Sequence, residues 1–244
     1  MPMATPTLET EKPWLAEGAN KRAAVQEMFA GIAPKYDRLN GIMSLSRHHR
    51  WRALAVAKAQ LREGDSALDV CCGTGDFLAP LRQAVGPKGQ VVGIDFCLPM
   101  LDEARRKHVP GSLVQGDGGR LPILSSSVNA VTVGWGIRNV PDIDETHREI
   151  FRVLKLGGRF VSVDMALPRN PVLRAGSQLV CGRLLPVLGS LFGLKTAYTY
   201  LPKSTEKFLG REGLKASMEA AGFRDVGWQD FMFGNICMHW GVKP

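Results

Sequence analysis

Asp69-Val70-Cys71-Cys72-Gly73-Thr74-Gly75-Asp76-Phe77 follows the short apolar run Ala67-Leu68 and leads into a helical pattern, so it reads as a strand, a glycine turn and a helix start. Glycine at 73 and 75 lets the backbone turn tightly and lets a ligand lie against main-chain N–H groups with no Cβ in the way. The cradle is not the one dinucleotides use. In G-x-G-x-x-G the third glycine would fall at Leu78, and Asp69 adds a carboxylate four residues before the first glycine. Both features work against a pyrophosphate. Two more acids stand at the ends of strand-like runs. Asp95 closes Gln90-Val91-Val92-Gly93-Ile94, 22 residues beyond Gly73, where a carboxylate can accept both hydroxyls of a ribose. Asp117 follows Ser112-Leu113-Val114, within Gln115-Gly116-Asp117-Gly118. Acids at three successive strand ends argue against an ordinary strand-to-helix turn.

The pattern D-x-x-x-G-x-G resembles that of class I methyltransferases using S-adenosylmethionine, a ligand without phosphate that carries an amino-acid end and a ribose. On this resemblance Asp69, Gly73, Thr74 and Gly75 form the cofactor loop, Asp95 holds the ribose, and Asp117 with Gly118 meets the adenine amine. A purely structural Asp117 is the competing reading. Other stretches resemble, more narrowly, the UbiE/MenG family of quinone-ring C-methyltransferases. They are Phe29-Ala30-Gly31-Ile32-Ala33-Pro34-Lys35-Tyr36-Asp37-Arg38-Leu39-Asn40 with Met43-Ser44, then Gly136-Ile137-Arg138-Asn139-Val140 with Asp142, and the weaker Arg152-Val153-Leu154-Lys155-Leu156-Gly157-Gly158. Resemblance extends over residues 25 to 244. Two places depart from the family pattern. Gly134-Trp135 stands where many members carry serine and phenylalanine, and Asp164-Met165-Ala166-Leu167-Pro168 replaces the usual E-F-S-x-P.

The resemblance implies C-methylation of a prenylated demethylquinol ring, demethylmenaquinol to menaquinol above all, with ubiquinone-precursor or phylloquinone-type enzymes as the nearest alternatives. It puts Arg138 and Asn139 beside the substrate as catalytic residues; Tyr36, Tyr198 and Tyr200 are candidate substrate-binding groups that could instead edge the core, and core or lid packing is the favoured reading of Tyr200. The ring carbon attacks the sulfonium methyl, so the site must stabilise a developing phenolate in a dry pocket. A guanidinium stays charged, which makes Arg138 an electrostatic partner rather than a base. Asn139 can orient a water or the quinol hydroxyl. Arg138 could instead clasp Asp142 or Asp144 as a structural pair.

These groups need positioning elements. Helical spacing runs from Lys21 to Ala33 and is stopped by Pro34, and a second helical stretch covers 46 to 61. Then strands at 67–71, 90–95, 112–115, 128–133 and 159–164 alternate with helices at 76–85, 98–107 and 143–154. That alternation predicts a class I, Rossmann-like α/β fold with a mostly parallel seven-stranded sheet. Residues 165–210, punctuated by Pro168, Pro171, Pro186 and Pro202, break the pattern and read as a helical lid insertion. A helix at 211–221 and a hairpin of 226–231 with 236–240 end the chain.

The 244 residues, 45% hydrophobic and 22% charged, suffice for one substantial α/β domain with insertions. We read 1–20 as a disordered tail and 21–244 as a single methyltransferase domain. No run approaches the roughly 20 apolar residues of a membrane span. Five cysteines without a C-x-x-C pair point to reduced thiols in a cytoplasm and to no metal site. The net charge of +8 is uneven: residues 66–164 hold 11 basic and 11 acidic residues, whereas 35–62 and 165–215 each carry +6. Basic segments around a neutral core suggest peripheral contact with an anionic membrane face, the inner one, where a prenylated quinol resides. An RNA methyltransferase is the alternative, but the aromatic interleaving and the base-clamp motif of such enzymes are missing, so no nucleic-acid partner is expected. A non-enzymatic binding module is disfavoured by the intact Gly73, Gly75 and Asp95. The oligomeric state stays open, a homodimer included.

Overall fold

The computed structural model describes residues 13, 14, 16, 18–184, 187 and 195–244, so residues 1–12 of the expected tail lie outside the described part. Helix α1 (Gly18–Ile32) begins within that expected tail and runs into a 3-10 turn at Ala33–Lys35, where proline is tolerated because first-turn N–H groups have no helical partner. Pro34 therefore redirects the chain without ending its helicity. A short helix that the sequence pattern did not suggest, α2 (Tyr36–Ser44), follows, and then α3 (His48–Ala59).

The sheet strands are β1 (Ser66–Val70), β2 (Gln90–Asp95), β3 (Ser112–Gln115), β4 (Val128–Gly134), β5 (Leu154–Met165), β6 (Arg224–Phe231) and β7 (Ile236–Val242). They order as β3-β2-β1-β4-β5-β7-β6. The first five are parallel, while β7 is antiparallel to both β5 and β6. The crossover helices are α4 (Leu78–Val85), α5 (Leu98–Arg106) and α6 (Ile143–Val153). Between β5 and β6 lie α7 (Pro171–Leu179), a π-helical turn at Val180–Leu184, α8 (Lys195–Lys207) and α9 (Gly210–Ala220). Pro202, read as a break, sits inside α8.

Period-two alternation divides the core between the two faces of the sheet. Leu68, Val70, Val131, Val133 and Phe160 pack with Ile150 of α6 and Leu214 and Met218 of α9. Ala67, Ala130, Val161 and Val163 face Trp51 and Ala55 of α3 and Leu78 and Leu81 of α4. Each large side chain buried this way contributes about 1.5–3 kcal/mol. With both faces covered, the carboxyl ends of β1 and β4 are left at the point where strand order reverses. Doubly wound sheets open a crevice there.

Candidate active site

The glycine loop leaves β1 through left-handed backbone at Cys71, Gly73 and Gly75, with φ of 57°, 54° and 82°. The N–H groups of Gly73 and Gly75 are used within the protein rather than offered to a ligand. Gly73 donates to Asp95 Oδ2 at 2.8 Å and Gly75 to the carbonyl of Cys72 at 2.9 Å. What the glycines provide is room, since a Cβ on Gly73 would come within 3.2 Å of Met100 Cε. Asp95 Oδ1 also accepts the N–H of Cys97 at 2.8 Å. Burial pushes this carboxyl up to about 6, against the backbone hydrogen bonds that favour its charge. Two bonds occupy only half of a carboxylate's acceptor capacity.

Asp95, Gly73, Asp117, Gly118 and Asn139 line a narrow cleft of about 50 Å³ walled by Phe96, Met100 and Val140. Asp69, Thr74 and Gly75, read as part of the cofactor site, are set behind it. Asp69 accepts the Thr132 hydroxyl at 2.7 Å, and burial raises it to about 8. Thr74 donates to Asp37 at 2.5 Å, and Gly75 packs where a Cβ would meet Val109 at 3.1 Å. They hold the loop in shape. Asp117 forms an ion pair with Arg22 of α1 and accepts the Gly119 N–H at 3.0 Å. Beside it Lys21 reaches the carbonyl of Val140 at 2.7 Å and that of Arg138 at 3.3 Å, fastening α1 across the cleft.

Phe29, Tyr36 and Trp135 line both this cleft and a second, larger cavity of about 480 Å³. Both +6 segments contribute to its wall, through Leu39, Met43 and His48 on one side and Leu173, Val180 and Leu201 on the other. Tyr198, Tyr200 and Arg138 belong to this wall, Asn139 to the cleft. Among the apolar residues of the lid insertion, Leu179 and Val180 are exposed, whereas the side chain of Leu184 and residues Leu185, Leu188, Leu191 and Phe192 lie outside the described part.

Arg138 is buried and does have a structural partner, though neither of those the sequence suggested. Its Nη1 donates to Asp164 Oδ1 at 2.5 Å and to the carbonyl of Trp135 at 2.8 Å. Asp142 instead caps α6 by accepting the Glu145 N–H, and Asp144 accepts the Ser217 hydroxyl. Asp164 is the next-to-last residue of β5, the strand beside β4, so only the folded sheet could bring it to Arg138. Asn139 donates to the Trp135 carbonyl at 2.9 Å and accepts the Tyr200 hydroxyl at 2.7 Å. Burial raises that phenol to about 12, so Tyr200 stays a proton donor. Tyr36, held by α2, is also raised by burial.

His48 and Arg52 were missed among the site residues. They line the cavity from α3, one helical turn apart, and the pair His48-x-x-x-Arg52 within the helical stretch 46–61 was the available signal. His239 is buried and bonded to the Arg211 carbonyl at 3.1 Å, outside either space.

The reversing parallel sheet with an antiparallel last pair, the glycine loop after β1 and the acid closing β2 define a class I S-adenosylmethionine-dependent methyltransferase. The chain belongs to the ubiE/COQ5 methyltransferase family, which matches residues 17–243. It is 40% identical over 233 residues to a demethylmenaquinone methyltransferase of Staphylococcus aureus strain JH9, covering 94% of this chain and 97% of that one, and the protein of strain Newman matches equally. Among solved structures, a chain of the complex between the Haloferax volcanii Trm112 methyltransferase activator and a methyltransferase superposes with a TM-score of 0.65 at 19% identity, over 88% of this chain and 97% of that one. A SAM-dependent methyltransferase from Thermotoga maritima gives 0.61 at 18%, over 90% and 100%. These two likenesses concern the fold. The cleft's own chemistry fits S-adenosylmethionine: Asp95 and Asp117 offer acceptors for hydroxyl and amine groups, Phe96, Met100 and Val140 offer apolar faces for a flat ring, and Arg22, the one lining cation among the described residues, is committed to Asp117.

Proposed function

We propose that the enzyme methylates a ring carbon of a demethylquinol carrying a polyprenyl tail, with demethylmenaquinol as substrate and menaquinol as product. The observation that carries this reading is the junction: a cleft suited to the cofactor meets a largely apolar cavity at Phe29, Tyr36 and Trp135, where a flat ring would lie between them. The chain's relatives of 40% identity bear the corresponding name.

S-adenosylmethionine, when bound, would supply an electrophilic methyl group and leave as a neutral thioether, while the methylated ring carbon gives up its hydrogen as a proton to water. Asp95 takes the ribose hydroxyls on its remaining lone pairs, and Asp117 the adenine amine. Arg138 places its charge where the quinol oxygen becomes anionic, in a buried setting where such a charge acts strongly. Asp164 keeps the guanidinium in place. Asn139, fixed between the Trp135 carbonyl and the Tyr200 hydroxyl, keeps one amide orientation towards the reacting side. Tyr36 and Tyr198 hold the ring and exclude water, which favours attack by carbon over loss of the methyl to solvent.

Among the described residues no helix is long and apolar enough to cross a membrane. The lipid-soluble substrate is reached, on this reading, by peripheral contact at the cytoplasmic face of an anionic bilayer. Val172, Leu173, Val180 and Phe233 are both exposed and part of the cavity wall, so they rim its mouth. Purified enzyme with S-adenosylmethionine and reduced demethylmenaquinone in mixed micelles should form a product heavier by CH2, a methyl in place of a ring hydrogen, read by mass spectrometry. Turnover of a ubiquinone precursor with no turnover of demethylmenaquinol would overturn the assignment.

A further inference from the structure

A quinol ring carries an oxygen at each of two opposite edges, and a largely apolar cavity must give both a partner or forfeit much of the binding. The cluster of Arg138, Asn139 and Tyr200 attends to one. His48 stands in the same cavity wall but on α3, and it is 4% exposed. Its Nδ1 lies 2.5 Å from Arg52 Nη1. An arginine N–H can only donate, so Nδ1 is the acceptor and the ring proton is on Nε2. That Nε2–H meets no protein acceptor among the described residues, and it is not among the polar atoms sealed from solvent space. The arrangement is built rather than incidental. Arg52 is itself anchored by Asp76 at 3.2 Å and lies over the Trp135 ring, 4.8 Å from its centroid, at the junction of cleft and cavity.

Protonation of His48 would set a second donor against Arg52. Burial, the Arg52 charge and His49 push the imidazole down to about 4, while Asp76 and Asp37 oppose this only in part. The group is therefore neutral at physiological pH, and with Nδ1 occupied it cannot serve as a base.

We propose that His48 is a further substrate-contacting residue, whose Nε2–H donates a hydrogen bond to the quinol oxygen remote from Arg138, with Arg52 as its positioning residue. This rests on the quinol reading above. It assigns to α3 the recognition of a ring bearing two oxygens, and so the discrimination against a ring bearing one.

The test compares the parent, His48→Phe and His48→Gln, each measured for kcat/KM on a short-tailed demethylmenaquinol analogue, for S-adenosylmethionine affinity by calorimetry, and for melting temperature. Phenylalanine keeps a flat ring without the donor; glutamine returns an N–H near the position of Nε2. Loss of one hydrogen bond to a ring oxygen predicts a fall of about 10- to 100-fold in kcat/KM for His48→Phe, partial recovery in His48→Gln, and cofactor affinity within about twofold of the parent in both. Parent-like kcat/KM in His48→Phe overturns the proposal. Equal losses in both variants with lowered melting temperatures overturn it too, because they mark His48 as a packing residue. If the parent itself leaves the analogue unmethylated while binding S-adenosylmethionine, the quinol reading has failed and this inference falls with it.

Discussion

Asp95 shows how one side chain serves both architecture and ligand. Its two oxygens already hold the N–H groups of Gly73 and Cys97, so replacing it by alanine strands two buried donors at about 1–3 kcal/mol each. Asp95→Ala should therefore lower the melting temperature as well as cofactor affinity. Asp95→Asn, which keeps one acceptor, should fall between, and calorimetric titration beside thermal denaturation checks both. Arg138 has a similar double role. Removing its charge in Arg138→Met leaves Asp164 buried and uncompensated, a loss of about 3–5 kcal/mol. Arg138→Lys keeps the charge but not the planar fork, so the fold should persist while kcat drops at least about tenfold with cofactor affinity little changed. Steady-state kinetics and chemical denaturation of both variants separate the two effects. A lysine variant with parental kcat would leave Arg138 a clasp only.

At the scale of elements, α1 is what closes the cofactor cleft. Val25, Met28 and Phe29 anchor it against Tyr200 and Phe96, and at the cleft itself the contacts are polar: a half-exposed Arg22–Asp117 pair, and Lys21, whose ammonium is lowered by burial and by Lys207 yet caps two carbonyls around Asn139. Exposed pairs contribute about 0.2–1 kcal/mol, and ordinary hydrogen bonds about 0.5–1.5 each. Lys21→Ala combined with Arg22→Ala should raise the cofactor dissociation rate by up to about tenfold in stopped-flow measurements, with a smaller effect on melting temperature. An unchanged rate would mean that the cofactor passes by another route.

For the molecule as a whole, stability against pH is set by groups buried in unfavourable charge states. His48, His147 and His239 are each pushed down to about 4 by burial, so between about pH 4 and 6.5 the unfolded chain takes up protons there that the folded protein refuses. Stability from these three is present above 6.5 and lost on acidification. Asp69 and Asp95, raised to about 8 and 6, act the opposite way, because the folded protein keeps protons that the unfolded chain releases above about pH 4. Three against two leaves a net loss of about 1.4 kcal/mol per unit as pH falls from 6 towards 4. Above 6.5 Asp69 alone remains, and stability declines as pH rises towards 8. The melting temperature of the ligand-free protein should thus peak near pH 6.5; a steady increase from pH 5 to 8.5 would show that Asp69 is not held protonated. The basic segments lead to a second expectation at this scale. Arg174 and Arg183 are exposed beside the rim of Val172, Leu173 and Val180, and each basic residue adds about 1 kcal/mol of attraction to an anionic leaflet, screened beyond roughly a Debye length. Co-sedimentation with liposomes should need anionic lipid, weaken with salt and fall when both arginines are neutralised, while cofactor affinity holds. Equal retention on neutral vesicles would leave these residues as solvated surface.

What the sequence determined by itself is local or periodic. Alternating apolar runs located the strands to within a residue or two, apart from the longer β5, because each strand's face pattern is written within its own few residues. The glycine loop and Asp95 were legible for the same reason: a tight turn and an acid at a strand end are short-range features. Helix α2 was not, since Pro34 marks a stop in sequence but can equally occupy a first turn, and the choice depends on packing. The partners of Arg138 were beyond reach as well. Asp142 and Asp144 are near it in sequence, yet Asp164 lies beside it because β4 and β5 pair in parallel, a contact 26 residues apart that no local pattern encodes. Tertiary structure likewise turned Asp69 and Thr74 inward to Thr132 and Asp37, brought two separate basic segments to one apolar cavity, and set His48 against Arg52 with its remaining N–H unclaimed. Long-range pairing decides which polar groups satisfy one another, and the groups left over are those available to a substrate.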